Sequence, residues 1–101
     1  MAERTLRQRL METLRTGDES FEGLCDSLRV RRRELEAELR HVERTARSGG
    51  ERLIVTPAVC ETCGFVFRGR IPRHLQPPGR CPACKGERIA DPLFRLEAAA
   101  S

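Results

Sequence analysis

Four cysteines stand in two close pairs, Cys60-x-x-Cys63 and Cys81-x-x-Cys84, separated by the seventeen residues from Gly64 to Arg80. A two-residue gap lets one tight turn aim both sulfurs of a pair at the same point. Two such knuckles together supply the four thiolates of a closed tetrahedral zinc site. With all four bound, no coordination position is left for water or substrate. The spacing therefore predicts one structural zinc ion that staples the fold, and neither an enzyme nor a small-molecule substrate site is expected. Gly64 and Gly86 follow the two pairs and are expected to let the backbone fold under the sulfurs at positive φ.

The same four ligands could hold iron, and paired cysteines can also form disulfides or run redox chemistry. No apolar run of eighteen or more residues occurs, and the start, MAERTLRQRL, is amphipathic and carries an acid. That start fits neither a membrane span nor a secretion signal. A cytoplasmic, reducing location is expected, which favours metal ligation over disulfides. The fifth cysteine, Cys25, is expected to be a small buried hydrophobe. His41 and His74 read as surface residues, because four cysteines already satisfy a zinc ion.

The formal charge of the 101 residues is +4, and four thiolates around a divalent ion (−4 and +2) would leave +2. Distribution is more informative than the total. The segment between the knuckles carries Arg68, Arg70, Arg73 and Arg80 and no acid, a basic patch that makes Arg68, Arg70 and Arg73 secondary candidates for nucleic-acid contact.

The elements that must position these groups change character along the chain. Leu6, Leu10, Met11 and Leu14 recur at helical spacing, with Thr5 and Gln8 able to form a capping box and Gly17 following as a stop. Ser20 is the candidate N-cap of a second helix whose inward face is Phe21, Leu24, Cys25 and Leu28. A third, longer helix is expected over about 31–47, with Leu35, Leu39, Val42 and Ala46 inward and Ser48-Gly49-Gly50 ending it.

Two short helices, a tight turn and a longer helix are the order of a helix-turn-helix, whose last helix lies in the DNA major groove. The inward stripe turns Arg33, Ala37, Arg40 and Arg44 to the opposite face. Arg31 and Arg32 add charge at the helix start, where a helix favours acids. Double-stranded DNA is the expected partner of Arg31, Arg32, Arg33, Ala37, Arg40, Arg44 and Arg47. Arg33 and Arg40 are expected nearer the bases, and Arg44 and Arg47 at phosphates. The alternative is a solvated helix face laced by Glu36/Arg40 and Glu43/Arg47 pairs.

Beyond the third helix, Leu53–Thr56, Phe65–Phe67 and Leu93–Leu96 read as short strands, with Pro57 ending the first and Pro92 starting the last. Pro72, Pro77, Pro78 and Gly79 mark an irregular turn between the knuckles.

Three stretches, FEGLCDSLRVRRRELEAELRHVER, RLIVTPAVCETCGFVFRG and GRCPACKGERIADPLFRLE, together resemble a family of small prokaryotic predicted transcriptional regulators in which a helix-turn-helix is fused to a C-terminal zinc ribbon. The resemblance covers nearly the whole chain. It departs at Arg29, where such proteins often carry Gly in the turn, and at Arg31, where a Ser or Thr cap is usual. It implies a winged-helix-like fold and DNA binding. The expected class is thus α+β, with a three-helix winged helix-turn-helix over 1–57 and a small antiparallel zinc ribbon over 58–101. A transcriptional regulator is the function implied, with a homodimer or protein partner open. The alternatives are a ribbon-based protein-interaction adaptor on a larger transcription or translation assembly, and a rubredoxin-like iron electron carrier. Rubredoxin-like proteins resemble this chain in C-x-x-C-G and C-P-x-C, but they are acidic and rich in aromatics, whereas this chain has no Trp or Tyr.

Overall fold

A computed structural model describes residues 4–68 and 75–99. Three helices come first: α1 (Leu6–Arg15), α2 (Phe21–Leu28) and α3 (Arg32–Ser48). The Thr5 hydroxyl accepts the Gln8 N–H at 3.1 Å and the Gln8 side chain accepts the Thr5 N–H at 2.8 Å, completing the capping box at the start of α1. The helix ends at Arg15 with Thr16 as its C-cap, one position ahead of Gly17. Ser20 caps α2 by accepting the Gly23 N–H at 3.0 Å. A Cβ at Gly23 would lie 2.8 Å from that hydroxyl oxygen, so a larger residue there would make the Ser20 hydroxyl shift.

Arg29 closes α2 in the left-handed region at φ 55°. That conformation favours glycine, and an arginine holds it here at some cost in backbone strain. Arg31 stands at the N-cap of α3 and has no side-chain acceptor to offer. The contact at this end runs the other way, from the Arg31 N–H to the Glu34 carboxylate at 3.5 Å.

Five strands accompany the helices among the described residues: β1 (Glu19–Ser20), β2 (Glu51–Thr56), β3 (Val59–Cys60), β4 (Ile89–Ala90) and β5 (Leu93–Ala98). They form an antiparallel sheet in the order β1-β5-β2 and a separate two-stranded pair, β3-β4. The class is mixed α+β. Glu51 pairs with Ala98 and Thr56 with Leu93, so β5 lies along the full length of β2. The final strand, which the sequence division places with the 58–101 half, therefore completes the sheet on which the helices pack. The polypeptide from 57 to 92 leaves that sheet after β2 and returns at β5. Pro92 holds its end, its carbonyl accepting the Phe21 N–H at 3.3 Å, while Asp91 accepts the Glu22 N–H at 2.9 Å.

Phe65–Phe67, expected as a strand, makes one isolated bridge, Val66 with Val59. Two backbone bonds make that bridge, from the Cys60 N–H to the Phe65 carbonyl at 2.8 Å and from the Phe67 N–H to the Ala58 carbonyl at 2.9 Å, and the first of them also closes the knuckle turn.

The main core gathers Leu10, Leu14, Phe21, Leu24, Leu35, Leu39, Val42 and Ala46 from the helices with Phe94 and Leu96 from β5. Period 3.6 on the helices and period 2 on the strand turn these residues inward. Phe21 and Phe94 meet as a tilted pair with centroids 6.3 Å apart. Cys25 is buried in this core, and burial pushes its thiol pKa up. Leu75, from the segment between the knuckles, is buried there too, at 1% exposure.

Candidate metal centre and nucleic-acid interface

Each knuckle is one turn closed by two backbone bonds. In the first, the Gly64 N–H donates to the Cys60 carbonyl at 2.9 Å and the Cys60 N–H to the Phe65 carbonyl at 2.8 Å; in the second, Lys85 donates to Cys81 at 2.9 Å and Cys81 to Gly86 at 2.8 Å. Gly64 thus corresponds to Lys85, and Phe65 to Gly86. The left-handed residues are Gly64 at φ 82° and Lys85 at φ 66°, so the expectation of positive φ holds for Gly64 and moves from Gly86 to Lys85. Gly86 sits in a tight space instead. A Cβ there would stand 3.2 Å from the Cys84 Sγ and 3.5 Å from the Thr62 hydroxyl oxygen of the opposite knuckle, and its N–H points at the Cys84 sulfur at 3.4 Å.

The sulfurs of Cys60, Cys63, Cys81 and Cys84 all lie within 4.8 Å of one another. Cys60 and Cys84 are 3.6 Å apart, as are Cys63 and Cys81. A tetrahedral zinc with bonds of about 2.3 Å requires sulfur edges of roughly 3.8 Å, so the donor set fits the ion. Cys60 and Cys81 are buried, and Cys63 and Cys84 are exposed. Around them the ribbon's own core, among the described residues, is small: Ala58, Cys60, Phe67 and Cys81, with Ile89 packed against it. Two of those four buried residues are ligands. A core of that size cannot hold the ribbon by apolar burial, and the metal is its main source of stability.

The metal-free thiols resist joint ionisation. The Cys63 and Thr62 backbone N–H groups hold Cys60 down at about 6 against desolvation. Cys63 is pushed up to about 12: the Phe65 N–H favours its thiolate, but desolvation and the thiols of Cys81, Cys60 and Cys84 outweigh it. At Cys84 the Gly86 N–H acts likewise and is outweighed by the Cys60 thiol and desolvation, so that pKa is raised as well. A divalent ion reverses this order by stabilising all four thiolates, and metal uptake releases protons.

On α3 the buried stripe is Leu35, Leu39, Val42 and Ala46, each with no exposure. At about 100° per residue, Ala37 and Arg44 lie almost opposite this stripe and Arg33 about 30° aside. All three are exposed. Arg40 is half-buried, and its guanidinium lies 3.9 Å from Glu36; it sits toward the flank rather than at the middle of the face. Arg32 is bound to Glu22 of α2, and Arg47 to Glu43 at 2.8 Å. The sequence alternative of Glu36/Arg40 and Glu43/Arg47 pairs is therefore present, beside the stripe rather than along it. Glu38 joins Arg7 of α1 at 3.2 Å. Every acid of α3 is thus engaged, whereas Arg33 and Arg44 have no ion-pair partner among the described residues. Arg31 is exposed at the helix start, as is Arg68 after the first knuckle. His41 is exposed. Arg70, Arg73 and His74 lie outside the described residues.

Glu36 has a further role with no signal in the sequence, because its partners come from 39 and 40 residues away. The Leu75 N–H donates to it at 3.1 Å and the Gln76 side chain at 3.3 Å.

Residues 57–99 match the family model described as the PF0610 rubredoxin-like zinc beta-ribbon domain. The solution NMR structure of protein PF0610 from Pyrococcus furiosus is similar over 96% of this chain and 95% of its own, with 31% identity and a TM-score of 0.75. No curated protein matches the chain. The match includes all four cysteines, and the site is one of structural zinc.

Proposed function

The chain belongs to the PF0610 rubredoxin-like zinc β-ribbon family, and from that premise we propose that it is a non-enzymatic, cytoplasmic transcriptional regulator that binds double-stranded DNA through α3. In this reading α2, the turn at Arg29 and α3 form a helix-turn-helix. The order α1-β1-α2-α3-β2-β5, with β5 central in the sheet, is that of a winged helix, with the zinc ribbon standing between the two strands that normally flank a wing.

One observation carries the proposal. Glu36, Glu38 and Glu43 of α3 are engaged at its flanks, while Arg33 and Arg44, with the small Ala37 between them, face outward without ion-pair partners among the described residues. A ridge of this kind admits close approach of a groove and leaves guanidinium donors for phosphates and base edges. The exposed Arg31 extends the charge at the helix start. The zinc ion has a structural part in this function: it holds the ribbon folded, and no substrate step passes through it. Arg68, Arg70 and Arg73 are assigned secondary phosphate contacts.

Genome-wide mapping of bound sites, followed by titration of the enriched duplex, tests the proposal. A shared sequence element bound in a salt-dependent way supports it. A stable protein complex with no nucleic acid in it would replace it with the adaptor function.

A further inference from the structure

Glu36 lies in the second turn of α3 and gathers three donors from two parts of the chain. Its Oε2 accepts the Leu75 N–H at 3.1 Å and its Oε1 the Gln76 amide at 3.3 Å, with the Arg40 guanidinium 3.9 Å from Oε2. The Leu75 side chain, at 1% exposure, is packed into the core beneath the helices. We propose that this contact is a latch coupling the metal state of the ribbon to the surface of α3, with Glu36 as its positioning residue.

The argument rests on chain connectivity. Leu75 stands six residues before Cys81, a tether that reaches at most roughly 20 Å when fully extended. With the four sulfurs gathered on zinc, the segment between Cys63 and Cys81 is a short closed loop and Leu75 is confined near its pocket. Without the metal, the segment becomes part of the 36-residue connection from Pro57 to Pro92, and docking Leu75 must overcome more ordering entropy. Coupling of this kind is reciprocal: whatever stabilisation zinc gives to docking, docking returns to zinc retention. When the latch is open, Glu36 keeps its charge but loses the two neutral donors that hold it in place, and its carboxylate is free to turn toward Arg33, one helical turn away, and engage part of the ridge. That consequence rests on the DNA-binding function; the coupling itself does not.

The test is the rate at which the zinc-loaded full chain gives up its metal to excess chelator, with no DNA present. Glu36→Ala removes the acceptor yet suits a helix, so far-UV circular dichroism should be unchanged. Its zinc release should be about five- to tenfold faster, at the lower end of typical coupling factors. Glu36→Gln keeps an oxygen for the Leu75 N–H and should release zinc at a rate nearer to that of the unaltered protein. Leu75→Ala should accelerate release through loss of the buried side chain. In amide exchange, the Leu75 N–H should be protected in the unaltered protein and exposed in Glu36→Ala. Unchanged release in both Glu36→Ala and Leu75→Ala would overturn the proposal, and so would equal acceleration by Glu36→Gln. Because zinc release is read without nucleic acid, its outcome is independent of whether α3 binds DNA.

Discussion

Among single residues, the cysteines carry the most and were the most legible, because a tight C-x-x-C turn is a local event that spacing alone determines. Replacing Cys60 or Cys81 with Ser should release the metal and unfold the ribbon while much of the helical signal persists, since the helices have their own apolar core. Metal content and far-UV circular dichroism check this, and full zinc retention would contradict it. The glycines were harder to read. Gly64 supplies the left-handed turn as expected, whereas Gly86 occupies a tight space, because a Cβ there would stand 3.2 Å from the Cys84 sulfur and in ordinary contact with the opposite knuckle's Thr62. The tight atom belongs to the same knuckle, but its place beside Gly86 is set by the folded turn and leaves no pattern in the sequence. Gly86→Ala should therefore loosen zinc at normal backbone φ, which a competition titration against a chelator would register as weaker affinity.

Among the elements, α3 was legible almost to the residue, since its four inward positions repeat at helical spacing and all four are fully buried. Leu35→Ala or Leu39→Ala should cost about 2 to 4 kcal/mol, the usual range for a buried leucine, without altering zinc content. Denaturant unfolding measures it, and a change near zero would mean the helix is phased otherwise. Arg29 at φ 55° offers the opposite experiment. Arg29→Gly should stabilise the chain by about 0.5 to 1 kcal/mol by relieving the left-handed strain. The short strands escaped sequence reading for a physical reason. Glu19–Ser20 has no periodicity to detect and becomes a strand only because Phe94 and Leu93 lie beside it. Phe65–Phe67 has the composition of a strand and does pair with β3, but only through the single Val66–Val59 bridge beside the knuckle turn.

For the molecule as a whole, the connection between halves matters more than either half. A division at 57 follows the change in composition along the chain, but composition cannot reveal that β5 returns to pair with β2 and β1. A fragment ending at residue 57 would lack Phe94 and Leu96, each worth about 1.5 to 3 kcal/mol of burial, against a total stability of about 5 to 15 kcal/mol for a typical domain. Such a fragment should show no cooperative thermal transition. By contrast, joining Thr56 to Leu93, which are paired partners, through a two-residue Asn-Gly turn should preserve one. The charge of the molecule is arranged in the same long-range way: Glu38, Glu43 and Glu36 of α3 are engaged at its flanks by Arg7, Arg47 and the Leu75–Gln76 segment respectively, and an arginine ridge is left facing outward. The most direct measurement of that arrangement is a titration of duplex DNA at two salt concentrations with the unaltered protein, Arg33→Ala and Arg44→Ala. Arg33→Ala should cost about 1 to 3 kcal/mol on a specific site and relax its sequence preference, while Arg44→Ala should weaken all duplexes alike and lower the salt slope by about one. Unaltered binding by both variants would contradict the assignment of α3 as the DNA-binding element.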